Sequence, residues 1–95
     1  MNKETAEVVL QATMQEYRQR SYQALTQLVG QNDVREAGAP DGTRYVLEVT
    51  VLWDAEPGGG IRVIGSIDDG RLRAFWPLTR DFIRNPDGSF TGEAP

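Results

Sequence analysis

Three polar residues, Glu48, Ser66 and Arg73, are the best candidates for chemistry in this chain of 95 residues. A carboxylate, a hydroxyl and a guanidinium in one row could bind a small polar ligand or position a proton transfer. The same row has a second interpretation, a cross-strand ion pair between Glu48 and Arg73 on a wet surface, worth at most about 1 kcal/mol. The discriminating feature is whether the row lines a closed concavity or lies on a flat surface.

The composition argues against catalysis. The chain has no histidine and no cysteine, which removes the commonest general base, the commonest metal ligand and all thiolate chemistry. An enzyme would have to rely on carboxylates, tyrosines and arginines alone. We therefore expect a protein without catalytic residues, cofactor or metal.

More residues share the face on which this row lies. Thr50, Ile64 and Phe75 form the adjacent row, and Arg62 lies beyond it beside Leu52. The candidate ligand or interface residues are accordingly Glu48, Thr50, Arg62, Ile64, Ser66, Arg73 and Phe75.

The apolar members of this face are too many to leave comfortably in solvent on so small a domain. They are Val46, Leu52, Ile64 and Phe75. Either later segments around residues 82–90 fold over them, or another protein covers them. The second option predicts a homodimer or another protein partner at the outer sheet face, with two-fold symmetry as the default geometry of a homodimer.

The first element that must position these residues is a helix, predicted over residues 3–29. No proline or glycine falls before Gly30, and Leu10, Met14 and Tyr17 begin an apolar stripe whose spacing alternates between four and three residues. Asn2 is suited to the N-cap, and Gly30 is a C-terminal stop signal. The stripe continues through Ser21, Ala24 and Leu28.

After Gly30 the hydrophobic period changes to two, which is typical of strands. Every second residue from Tyr45 to Trp53 is apolar, which predicts that residues 44–54 form a long strand with one strongly apolar face. Residues 33–37 are predicted to pair with this strand, and residues 61–67 form the next strand, with Trp53 opposite Ile61. That register places Glu48 beside Ser66.

Two turn signals set the rest of the sheet. Asp69-Gly70 suits a two-residue hairpin turn, which predicts that residues 61–67 pair with 72–76 and brings Arg73 beside Ser66. Asn85-Pro86-Asp87-Gly88 is a second turn signal, joining residues 81–84 to 89–91. Gly65 and Ala74 would form a shallow spot on the inner face, where Ser21 and Ala24 of the helix would cross.

These elements predict one α+β domain over residues 1–95. A long helix over about 3–29 packs on one face of a four- or five-stranded antiparallel meander over about 33–91, with a frayed tail at 92–95. This layout resembles that of the cystatin-like and NTF2-like α+β folds, by analogy of fold alone. Gln27-Leu28-Val29-Gly30 is not the Gln-x-Val-x-Gly motif of cystatins, so protease inhibition gains no support.

The charge excludes two further classes of function. Ten basic against fourteen acidic residues give a net charge of −4, whereas nucleic acids and anionic membranes attract basic proteins. The start of the sequence lacks the apolar region of a signal peptide, so we expect a cytoplasmic protein without a membrane segment.

Overall fold

The computed structural model describes residues 2–69 and 77–93. Within them the chain forms two helices and four strands: α1 (Lys3–Arg18), α2 (Tyr22–Thr26), β1 (Asn32–Gly38), β2 (Arg44–Trp53), β3 (Ile61–Asp68) and β4 (Leu78–Arg84). The strands form one antiparallel sheet in the order β1-β2-β3-β4. The fold is therefore α+β, with an N-terminal helix on an open four-stranded sheet, which confirms the predicted fold class.

The predicted helix over residues 3–29 is wrong in its length, because it is two helices that break at Ser21. The Ser21 hydroxyl accepts a hydrogen bond from the Ala24 amide at 3.0 Å and so caps α2. A serine side chain offers the backbone this alternative to a continuous helix. The apolar spacing persists through the break because α2 also buries one face, with Leu25 fully buried.

Helix α1 approaches the sheet closely at Gly65. A Cβ atom on Gly65 would clash with Met14 Sδ and would lie 3.1 Å from Leu10 Cδ1. Gly65 is thus a point of close approach, as predicted, but the helical residues above it are Leu10 and Met14. Ser21 lies at the end of the helix because the helix is shorter than expected, and Ala74 lies outside the described residues.

The registers at β2 follow the prediction. Trp53 pairs with Ile61, Glu48 pairs with Ser66, and β1 pairs with β2 along its whole length. Burial alternates along β2 and β3, so the odd-numbered residues form the inner face under the helices. The even-numbered residues form the opposite face, which we call the outer face.

The predicted hairpin between residues 61–67 and 72–76 is wrong. A strand has two edges, and β3 uses one for β2 and the other for β4, where Ile67 pairs with Leu78 and Ile61 with Arg84. The chain therefore returns to β3 later than Asp69-Gly70 suggested. Residues 70–76 themselves lie outside the described part of the chain.

The second predicted turn is confirmed. The Gly88 amide donates to Asn85 O at 2.8 Å, and Gly88 takes a φ of 89°, in the left-handed region that glycine favours. The chain then folds back along β4, where Arg84 forms a bridge with Phe90. The Thr91 amide also donates to Ile83 O at 3.0 Å.

Candidate functional site

The outer face is the surface that presents most of the predicted site residues. Both helices pack on the inner face, where Leu10, Met14 and Leu25 are buried. On the outer face, Thr50, Ile64 and Ser66 are half-buried and Glu48 is exposed. Among the residues that the structure describes, no helix or strand packs over these side chains.

The row that contains Glu48 crosses all four strands. Val34 pairs with Glu48, Glu48 with Ser66, and Ser66 with Thr79. The predicted pairing of Glu48 with Ser66 is therefore confirmed. The neighbour of Ser66 on its other side is Thr79 of β4 and not Arg73, because β4 occupies that edge of β3. Arg73 and Phe75 lie outside the described residues.

Arg62 lies between two carboxylates. Its Nε donates to Asp54 Oδ1 at 2.9 Å, and its Nη1 donates to Asp81 on β4. The hydrogen bond to Asp54, with the charges of both carboxylates, raises the pKa of Arg62. The guanidinium thus has its charge compensated within the chain, which suits it to hold the loop after β2 against β4 rather than to bind an anion.

Thr50 and Ile64 occupy the row between Glu48 and Arg62. The Thr50 hydroxyl donates to Asn32 Oδ1 at 3.1 Å, and Ile64 lies between Thr50 and Asp81. Ile64 is one of five apolar side chains that the four described strands present on the outer face, and we call these five the outer strip. The outer strip consists of Val34, Val46, Leu52, Ile64 and Ile83.

Sequence reasoning missed Asp81 and Ile83 as members of this face. The reason is the misplaced partner of β3, since the predicted hairpin assigned residues 72–76, and not β4, to the edge beside Arg62. The alternation within β4 was an available signal. Leu78 and Phe82 are apolar and pair with inner-face residues of β3, so on β4 the even-numbered residues face inward and Asp81 and Ile83 point outward.

A second polar cluster lies on the inner side of strand β1. The Tyr17 hydroxyl donates to Asp33 Oδ2 at 2.8 Å, and Arg35 Nη2 donates to the same oxygen at 2.6 Å. Arg35 also donates to Glu16 at 3.1 Å. Hydrogen bonds from Arg35 and Tyr17 lower the pKa of Asp33, while burial and the bond to Asp33 raise the pKa of Tyr17.

A third cluster ties the end of the described chain to α1. The Arg18 guanidinium lies 4.1 Å from the centre of the Phe90 ring and 5.2 Å from that of Phe82. Its Nη1 donates to Glu93 Oε2 at 3.0 Å, which lowers the pKa of Glu93. Glu93 falls within the predicted tail at 92–95, and this contact gives it a partner on the helix.

Three clefts lined by described residues lie away from the Glu48 row. One cleft of about 430 Å³ lies between the start of α1 and the start of β4. It contains an ion pair in which Arg80 Nε donates to Glu7 Oε1 at 3.0 Å. Another lies between α1 and the turn at Pro40, and a third lies around the turn at 85–93. Glu48 and Ser66 line none of these three.

The described residues include no cluster of metal-ligating side chains. None of the helices in that part of the chain has the length and hydropathy to cross a bilayer. Comparison with family models, with curated proteins and with solved structures found nothing similar to this chain.

Proposed function

We propose that this protein is a non-catalytic interaction module that binds a protein partner on its outer face. The observation that carries the proposal is the outer strip, in which apolar side chains from all four strands share one face that no described helix covers. Monomeric proteins rarely leave such a patch in solvent without a use for it.

The charges around the outer strip indicate the chemistry of the partner. Among the described residues, this side of the sheet carries Arg44 and Arg62 against Glu36, Glu48, Asp54 and Asp81. An excess of carboxylates favours a partner surface with an apolar centre and a basic rim. A second copy docked face to face would bring two acidic surfaces together, so the expected homodimer through this face is the less favoured occupant.

The side chains near the strip support binding over catalysis. Arg62 is held by two carboxylates, and Glu48 is an exposed residue on the sheet surface. The second candidate function, a small-ligand site on Glu48 and Ser66, is favoured only by the direct pairing of these residues. The cytoplasmic location expected from the sequence stays a prediction.

An Ile64→Glu variant tests the docking surface, with Thr79→Glu as the matched control. Both changes add one carboxylate to the same face, but Thr79 is an exposed residue outside the outer strip. A partner captured with the wild-type chain is purified and titrated against all three proteins, after thermal unfolding has shown that each is folded. We expect Ile64→Glu to weaken binding by about tenfold or more, whereas Thr79→Glu keeps it.

Two outcomes contradict the proposal. A captured partner that binds Ile64→Glu as tightly as the wild type does not use the outer strip. A chain that captures nothing, yet shows a small-molecule thermal shift abolished by Glu48→Gln, favours the ligand site instead.

A further inference from the structure

Strand β1 is the open edge of the sheet in the part of the chain that the structure describes. It pairs with β2 on one side and stands first in the strand order. The opposite edge is partly occupied, because the segment at 89–91 folds back onto the end of β4. An unpaired edge strand is a template for pairing with another chain.

The backbone hydrogen bonds at the two ends of β1 show which groups point away from the sheet. The Ala39 amide donates to Thr43 O at 2.9 Å, and the Val51 amide donates to Gln31 O at 3.3 Å. Hydrogen-bonded positions alternate along an antiparallel pair, so the odd-numbered residues of β1 bond to β2. The amide and carbonyl groups of Asn32, Val34 and Glu36 therefore point outward.

We propose that β1 pairs antiparallel with β1 of a second copy, about a two-fold axis through Val34, to form a continuous eight-stranded sheet. In this register Val34 meets Val34 of the second copy, and Asn32 meets Glu36. These outward-facing positions would exchange about six main-chain hydrogen bonds. The inference concerns the sheet edge and does not depend on the partner proposed for the outer face.

The charges of β1 select this register and this occupant. With Val34 on the axis, Asp33 lies opposite Arg35 of the second copy, and the same pair repeats on the other side of the axis. Such residues form a non-hydrogen-bonded pair, whose Cα atoms lie only about 4.5 Å apart. Moving the axis by one residue would set Arg35 against Arg35, or Asp33 against Asp33. The strand is thus complementary to itself in one arrangement.

The side chains that would meet across the axis are accessible in the single chain. The side chains of Asp33 and Arg35 are 39% and 35% exposed, and Val34 is 57% exposed. Asp33 already accepts bonds from Arg35 and Tyr17, and Arg35 also reaches Glu16. The guanidinium of the second copy would add to this pairing without leaving a charge uncompensated.

Disulfide crosslinking tests the register, because the chain has no native cysteine. In the proposed dimer the Cα atoms of two Val34→Cys chains lie about 5.5 Å apart, within the range of a disulfide. The matched control Glu36→Cys changes the same strand on the same face, but its two Cα atoms lie about 14 Å apart. We expect Val34→Cys to form a covalent dimer under mild oxidation at least about tenfold faster than Glu36→Cys.

Light scattering over a dilution series tests the same edge without oxidation. The wild type should approach twice 10.6 kDa as its concentration rises. Val34→Pro removes an outward-pointing amide, which an edge strand tolerates, and should weaken association about tenfold or more by deleting two hydrogen bonds. Equal crosslinking of the two cysteine variants, or an unchanged mass for Val34→Pro, would overturn the proposal.

The experiments distinguish a failure of the β1 edge dimer from a failure of the proposed partner site on the outer face. Ile64→Glu should leave the crosslinking of Val34→Cys unchanged, because Ile64 lies on β3, away from the edge. Loss of the dimer in Ile64→Glu, with Val34→Pro still dimeric, would place the second copy on the outer face and reject the edge.

Discussion

Gly65 lies where α1 and the sheet approach each other closely. Met14 and Leu10 occupy the space where a side chain at position 65 would lie. Gly65→Ala should therefore lower the free energy of unfolding by roughly 1–3 kcal/mol through overpacking. Urea unfolding of the variant and the wild type measures the change.

A double-mutant cycle with Met14→Ala tests whether the loss of stability comes from a clash with Met14 or from a general effect of the substitution on β3. The smaller side chain makes room for the new methyl group, so the two changes together should cost less than their sum. Additive costs would show that Met14 is not the residue in conflict with position 65.

The Tyr17–Asp33–Arg35 cluster predicts how stability depends on pH. Hydrogen bonds lower the pKa of Asp33 in the folded chain. The ionised carboxylate therefore stabilises the fold above the unfolded pKa of about 3.9, and this contribution is lost as the pH falls through the folded value. The pKa of Tyr17 is raised, so its contribution is present below about pH 10 and is lost as the pH rises further.

An Asp33→Asn variant isolates the acid part of this dependence. It should be less stable than the wild type at pH 7, and the two curves of unfolding free energy should converge as the pH falls below about 4. Asp87 and Glu93 also have lowered pKa values and remain in the variant, so some acid sensitivity persists. Parallel curves would show that the Asp33 charge contributes nothing.

At the scale of the element, the break between α1 and α2 determines whether a substitution of Ser21 stabilises or destabilises the fold. Ser21 caps α2, so Ser21→Ala should cost about 1 kcal/mol of unfolding free energy, while Ser21→Asn should restore most of it. In a continuous helix the same Ser21→Ala change would stabilise the chain, because alanine has the higher helix propensity. Urea unfolding distinguishes the two directions.

The strands show why periodicity predicted part of the sheet and not the rest. Alternation along β2 and β3, with Trp53 opposite Ile61, was sufficient to pair Glu48 with Ser66. The partner of β3 depended on a local turn signal at Asp69-Gly70, and tertiary pairing with β4 replaced it. Strong local turn chemistry therefore did not determine which strand returned to the sheet.

For the candidate site too, the alternation of the strands predicted which residues share a face but not all of their contacts. Thr50, Ile64 and Ser66 lie on the outer face as the alternation required. The ion pair of Arg62 with Asp81 could not be derived, because it depends on where β4 lies. The contact between Tyr17 and Asp33 also depends on the placement of the helix over the sheet, which periodicity alone does not give.

The whole molecule presents two surfaces for association, the outer strip and the β1 edge, which adjoin at Val34. The strip offers apolar area surrounded by carboxylates, which suits a partner of opposite charge. The edge offers backbone groups and a self-complementary charge pair, which suit a second copy. An edge dimer would set two outer faces side by side in one sheet and leave both available to partners.

Amide hydrogen exchange along β1 distinguishes an edge dimer from any other dimer. The Val34 and Glu36 amides point away from β2, so they should exchange readily at low concentration and gain protection as the concentration rises. The Asp33 and Arg35 amides bond to β2 and should be protected at every concentration. This alternation from one residue to the next is specific to strand pairing, because a partner on the outer face would leave the outward amides in solvent. A doubled mass without a change at Val34 and Glu36 would place the interface elsewhere on the molecule.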